Sequence, residues 1–273
     1  MYLDYWQLAI KPFEPGTDRA LFYRCESHEA ALLKLRYAVE NRRGAALLAG
    51  PAGVGKTMLV QLFRGELADT FRPQLHLVFP QMSSRDLLVY LAEQLGAPPA
   101  DPPRHTIEES VRRLEFLLGQ NANQGRHAVV VIDEAHLLED CGALETLRLL
   151  LNFEVVGQPT LTLLLVGQMS LISAVGRLPS LEERVAVKSL VRSFTVEETA
   201  HYVRHRLQVA GAAREIFTPD ALEALHYLGH GTARQINRLG DLALLVGFAD
   251  RLPRLAAEQI EAVSEELVAI AAD

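Results

Sequence analysis

The sequence predicts an α/β fold, a parallel sheet covered on both faces by helices, followed by an all-helical part. Three observations point there. Short apolar runs rich in Val and Leu alternate with stretches of helical period through the first two thirds of the 273 residues, which is how strands buried on both sides and joined by crossover helices read. One junction between such a run and a helix holds Gly50-Pro51-Ala52-Gly53-Val54-Gly55-Lys56-Thr57, which meets G-x-x-x-x-G-K-[ST] at every fixed position. From Phe194 onward the strand signals stop and only helical periodicity remains. The expected organisation is an α/β domain over residues 1–192 and a helical subdomain over 193–273.

The segment up to about Arg43 mixes aromatics with turn residues (Trp6, Pro12-Phe13, Pro15-Gly16, Phe22-Tyr23) before a helix-period run from Ala30 to Val39. Ala45-Ala46-Leu47-Leu48-Ala49 reads as a strand and Met58 to Phe63 as a helix, so the glycine-rich motif has the strand-loop-helix setting it requires. Glycines at 50, 53 and 55 let the backbone turn tightly and aim successive N–H groups at phosphate oxygens, beside the positive end of the following helix. Lys56 is placed to reach the β- and γ-phosphates, and the Thr57 hydroxyl to ligate Mg²⁺, a hard cation that needs few protein oxygens. ATP with Mg²⁺ is the expected ligand pair. The N-terminal aromatics then either line part of an adenine pocket or simply pack.

Further along, Leu75-His76-Leu77-Val78-Phe79 reads as a strand and Ser84 to Leu95 as a helix, after which Gly96 to Pro103, with four prolines, breaks regular structure. Thr106-Ile107-Glu108-Glu109 has the capping-box form and opens a helix to about Leu118. Strand Ala128 to Ile132, a helix around Ala143 to Leu151, strand Thr160 to Val166 and a last strand Val185 to Val191 follow. In the helical part, Thr195-Val196-Glu197-Glu198 is a second capping box, Thr218-Pro219 puts proline at a first helical position, and four helical segments run to about Ile270.

Val129-Val130-Val131-Ile132-Asp133-Glu134 is an apolar strand ending in two carboxylates. Such a strand delivers its last residues to the carboxyl edge of the sheet, where ligands bind in open α/β folds. There Asp133 can hold Mg²⁺ through a water, and Glu134 can orient and deprotonate an attacking water. Gln168, after the strand ending at Val166-Gly167, is the candidate for touching the γ-phosphate or that water, against the alternative of an ordinary strand-end glutamine. Arg184, before the last strand, is a candidate finger for a neighbouring subunit's γ-phosphate. Arg177 competes for that role, and a surface salt bridge is the other reading of Arg184. Arg234 opens a helix at Gly231-Thr232-Ala233-Arg234, where a cation is disfavoured by the helix dipole. An anionic partner, the nucleotide, is expected there.

Composition narrows the classes. No apolar run approaches the roughly 18 residues of a membrane-spanning helix, and Met1 to Trp6 lacks a basic region before an apolar one, so no signal peptide and a cytoplasmic location are expected. Cys25 and Cys141 have no metal-ligand neighbours in sequence, so no zinc site is suggested. The net charge is −7, with 7 basic and 12 acidic residues in 193–273, leaving −2 for 1–192. Neither part is basic enough to be a nucleic-acid surface by composition, although a local arginine patch keeps DNA binding open.

With these residues in place, the chain resembles the AAA+ superfamily, and within it the ATPase module of the general secretion pathway protein A (ExeA-type) family. The likeness is carried by Lys11-Pro12-Phe13, Arg42-Arg43-Gly44, Gly50 to Thr57, Ile132-Asp133-Glu134-Ala135, Leu147 to Glu154, Leu165-Val166-Gly167-Gln168 and Arg234-Gln235-Ile236-Asn237. It implies a five-stranded parallel sheet of order 5-1-4-3-2 and a helical lid. It also implies ring or filament assembly of identical subunits, and ATP hydrolysis between them in the service of secretion or pilus-type machinery. Gln168 and Arg234 then correspond to sensor 1 and sensor 2. Gln168 departs from the Asn, Ser or Thr commonest at sensor 1. Proteins of that family usually continue into a membrane segment and a peptidoglycan-binding domain. The core is also similar to ATP-dependent regulators of transposon target choice, which bind DNA as oligomers. Ile132-Asp133-Glu134-Ala135-His136 spells a helicase DEAH box as well, but a helicase of that kind needs a second recombinase-like domain.

Overall fold

The computed structural model describes residues 2–14, 16, 18–99 and 106–272. Pro15 and the 100–103 part of the proline-rich loop lie outside the described residues. The chain divides into two compact units, one of residues 27–50 and 59–191, the other of residues 1–26, 51–58 and 192–273.

The first unit is built on a five-stranded parallel sheet. Its strands are β1 (Ala45–Ala49), β2 (Gln74–Leu77), β3 (Ala128–Ile132), β6 (Leu161–Gly167) and β7 (Val185–Leu190), in the order β2-β3-β6-β1-β7. Strands β4 (Glu154–Val155) and β5 (Gln158–Pro159) form a separate two-residue antiparallel hairpin that sequence periodicity does not register. That hairpin shifts the strand numbers relative to the expected order; counted among themselves, the five sheet strands read 5-1-4-3-2 from the β7 edge. Every residue of β1, β3 and β6 is buried, whereas the edge strands β2 and β7 mix buried with partly exposed positions. Central strands covered on both faces need apolar side chains throughout, and edge strands do not. β2 ends two residues earlier than expected: Val78 and Phe79 are apolar but exposed.

The helices of this unit include α2 (Glu26–Glu40), α4 (Ser84–Gln94), α5 (Ile107–Asn123), α6 (Ala143–Leu150), α7 (Ser170–Gly176) and α8 (Pro179–Glu182). The Thr106 hydroxyl accepts the Glu109 N–H at 3.1 Å and so caps α5 from one side. Leu87, Leu88, Leu91, Leu114, Leu118, Leu144 and Leu147 join the apolar strand residues in one core.

The second unit has its own core. After α1 (Tyr2–Trp6) and the loop that leads into α3 (Lys56–Glu66) it contains α9 (Val196–Val209), α10 (Pro219–Leu228), α11 (Ala233–Ala249) and α12 (Ala257–Ala272). Thr195 and Glu198 form the full capping box of α9. Trp6 and Phe13 are buried in this core, with the Trp6 indole N–H donating to the Leu244 carbonyl at 2.9 Å. Gly240 and Gly247, seven residues apart on α11, make room for them: a Cβ at either would lie 2.8 Å from the Phe13 or Trp6 ring. These two N-terminal aromatics are packing residues.

Candidate active site

In the sheet unit, β1 and β3 flank β6 and run parallel to it, with Ala49 opposite Gly167 and Ile132 opposite Leu165. Gly50, Asp133 and Gln168 therefore follow the carboxyl ends of three adjacent strands. Gly50 is needed where the chain leaves β1, since a Cβ there would lie 2.3 Å from the Val191 carbonyl oxygen. Asp133 is 2% exposed, and its Oδ1 accepts the Glu134 N–H at 3.0 Å. His76 of β2 brings Nε2 to 3.6 Å from Asp133 Oδ2. Glu134 has the left-handed backbone φ 51°, ψ 33°, a conformation that costs a non-glycine residue about 1–3 kcal/mol and collects at functional sites. Its carboxylate is 41% exposed, free to meet a solvent molecule.

In the other unit, the loop 51–58 turns through Gly53 (φ +80°) and Gly55 (φ +95°) into the first turn of α3. Only glycine takes such angles without strain. Lys56 is buried and donates from Nζ to the Pro51 carbonyl at 2.8 Å, while Thr57 is exposed. The loop is seated on α11: the Arg234 N–H donates to the Gly53 carbonyl at 3.1 Å, and a Cβ on Gly53 would come within 2.8 Å of Arg234 Cβ. Glycines at positive φ leading into a helix start, with a lysine beside them, form a cradle that fits a phosphate chain.

The structure thus brings Asp133, Glu134 and Gln168 together at one sheet edge, and Gly53, Lys56 and Arg234 together around the loop. Arg184 lies elsewhere, at the amino end of β7, where it donates to Asn152 Oδ1 at 2.9 Å. Arg177 follows α7, its N–H bonded to the Ser173 carbonyl. Sequence reasoning passed over two histidines, His76 and His136. The second stood in plain view two residues after Glu134 but was read only as part of a helicase string. Among the described residues no helix is long and apolar enough to cross a membrane.

Comparison with known proteins agrees with this geometry. Residues 39–174 match the family model described as AAA domain. The chain belongs to the AAA+ superfamily. It is 34% identical over 253 residues to General secretion pathway protein A of Aeromonas hydrophila, a match that takes in 91% of this chain and 45% of that protein. The chain therefore spans less than half the length of that relative. Among solved structures, the ORC2 protein of Aeropyrum pernix superposes with a TM-score of 0.67 at 17% identity, covering 91% of this chain and 71% of that one. Cdc6p from Pyrobaculum aerophilum gives 0.66 at 16% identity, over 93% and 70%. At such identities the likeness shows the P-loop AAA+ fold alone. As an AAA+ chain of P-loop type, the protein is by family a nucleotide-binding ATPase.

Proposed function

We propose that this AAA+ module is a Mg²⁺-dependent ATPase that assembles with copies of itself and uses its nucleotide state to assemble or remodel a partner complex of secretion machinery, working in the cytoplasm. The observation that carries the reading is the buried Asp133 and strained, exposed Glu134 at the tip of β3, beside the Gln168 tip of β6 and on the same sheet edge as Gly50. The 34% identity to General secretion pathway protein A supplies the secretion context. In this reading residues 1–192 are the nucleotide-binding domain and 193–273 the lid.

Each residue has a task. Backbone N–H groups from Ala52 to Thr57 receive the phosphate oxygens, the Gly50 N–H being held by the Gly167 carbonyl, Lys56 meets the β- and γ-phosphates, and the Thr57 hydroxyl and Asp133 would hold Mg²⁺. Mg²⁺ supplies charge neutralisation on the phosphate oxygens. Glu134 takes a proton from the attacking water, whose oxygen bonds to the γ-phosphorus as the bond to the β–γ bridging oxygen breaks and ADP leaves. Gln168 orients that water or the γ-phosphate, and Arg234 ties the lid to the nucleotide. Arg184 serves the γ-phosphate of a neighbouring copy.

Lys56→Ala is expected to lose nucleotide binding in a fluorescent-nucleotide titration. Glu134→Gln should bind ATP as the wild type does and hydrolyse it on the order of a hundredfold more slowly or worse. Wild-type hydrolysis in Glu134→Gln would remove this glutamate from the reaction. The DNA-binding alternative gains nothing from the fold likeness to ORC2 and Cdc6p, and the relative that is 34% identical to this chain over the 253 aligned residues carries a secretion name.

A further inference from the structure

We propose that His136 is a positioning residue for Glu134, and that its ring links this carboxylate to the tip of β6 by giving one nitrogen to either of two partners. The inference rests on Glu134 acting as the base. His136 Nδ1 lies 3.4 Å from Glu134 Oε2 and 3.4 Å from the backbone nitrogen of Gln168. The two neighbours make opposite demands on one atom. A backbone N–H is only a donor, so Gln168 requires a bare lone pair on Nδ1; an ionised carboxylate is only an acceptor, so Glu134 requires a proton there. In a neutral imidazole one ring nitrogen is a donor and the other an acceptor. The ring therefore satisfies one partner at a time, and in this structure Nδ1 accepts a long hydrogen bond from the Gln168 N–H while Glu134 Oε2 stays within reach of the same atom.

The consequence reaches the chemistry. With Nδ1 turned to Gln168, the Glu134 carboxylate keeps its lone pairs for a water proton. With the Nδ1 proton on Glu134, the carboxylate is held and partly occupied. Anything that shifts the β6 tip, where Gln168 faces the proposed γ-phosphate position, alters that choice.

The surroundings confine the ring to this place. His136 is 13% exposed at its side chain. A Cβ at Gly167 would stand 3.2 Å from Nδ1 and 3.3 Å from the His136 backbone nitrogen, so the glycine before Gln168 leaves the ring its slot. The left-handed backbone at Glu134 gives the two side chains, two residues apart, a common side. Nothing in nucleotide binding needs this histidine.

His136→Phe keeps an aromatic ring in the slot and removes the nitrogen; His136→Asn restores a polar atom near the Nδ1 position. We expect His136→Phe to lower kcat about 10- to 100-fold, the range seen when a residue that orients a ligating group is lost, with KM for ATP and Tm unchanged. His136→Asn should recover most of the loss. A kcat for His136→Phe within twofold of wild type overturns the proposal, as does an equal loss in the asparagine variant. The wild-type protein provides a measurement free of folding effects. Nitrogen NMR of the His136 ring should show different Nδ1 protonation in the nucleotide-free protein and with a non-hydrolysable ATP analogue, and one unchanged tautomer across nucleotide-free, ADP and analogue states counts against it. If Glu134→Gln hydrolyses ATP normally, the reading of the active site fails and this inference with it. If Glu134→Gln is inactive and His136→Phe is not, only the role of His136 falls.

Discussion

His127 shows how a single side chain sets a pH limit on the fold. It stands just before β3, fully buried, with Nε2 2.8 Å from Thr162 Oγ1. The Thr162 hydroxyl donates its proton to the Arg43 carbonyl at 2.6 Å, so it can only accept from the ring, and Nε2 carries the hydrogen. Burial, with the nearby Arg42 charge adding to it, pushes the imidazole pKa from 6.5 down to about 4. The unfolded chain therefore binds a proton that the folded chain refuses. Stability from this group is full above about pH 6.5, falls as pH drops from there toward 4, and loses nothing more below; the total is on the order of 3 kcal/mol. Urea unfolding at pH 7, 6 and 5 should show that decline, and His127→Gln, which keeps a donor for Thr162, should flatten it. Equal slopes in both proteins would assign the decline to other groups.

Among the elements, α9 holds the N-terminal segment through a buried arginine. Arg206, 6% exposed, donates from Nε to the Pro12 carbonyl, from Nη1 to Leu21 at 3.4 Å and from Nη2 to Glu14 at 2.9 Å, and lies 5.7 Å over the Tyr202 ring. Burial lowers its pKa, yet guanidinium stays charged at any ordinary pH. Arg206→Met should cost about 2–4 kcal/mol, from carbonyls left without donors, and speed proteolysis within residues 1–21; Arg206→Lys, with its donors on one atom, should recover little. A wild-type Tm and cleavage rate in Arg206→Met would show that the segment is held by its aromatics alone. This clamp was illegible in the sequence, where an arginine on a helix reads as a solvated one. The central strands were legible because β1, β3 and β6 need apolar side chains on both faces, and the α9 cap because Thr195 and Glu198 stand three apart. Val78 and Phe79 misled for the same reason that the strands were found: apolar type, without burial. The β4–β5 hairpin was invisible because two-residue strands have no period to detect. Asp133 and Glu134 could be singled out by type and placed at the strand tip from sequence, but not the φ of 51° or the ring of His136 between Glu134 and Gln168, since neither torsion angle nor tautomer is written in residue names.

For the molecule as a whole, the sheet's polarity bears on how many chains an active unit needs. Strands β7 and β1 are parallel, with Ala49 opposite Leu190. Asp133 and Glu134 follow the carboxyl end of β3 in this same sheet, whereas Arg184 precedes β7. Six residues of strand at about 3.3 Å each put roughly 17–20 Å between the two edges. Arg184 is further anchored to Asn152 Oδ1 and the Leu151 carbonyl. The finger role proposed for an arginine so placed therefore requires the γ-phosphate of another copy. Arg184→Ala should then bind ATP normally and hydrolyse it about a thousandfold more slowly or worse, the range ascribed to arginine fingers. The mixture decides the matter. Arg184→Ala chains retain intact carboxylates, and Glu134→Gln chains retain the finger, so combining two inactive proteins should restore hydrolysis through interfaces that pair one intact half of each. Sedimentation with a non-hydrolysable ATP analogue should show assemblies larger than one chain under the same conditions. An inactive mixture in which such assemblies do form would rule out a shared site, and a fully active Arg184→Ala would pass the role to Arg177.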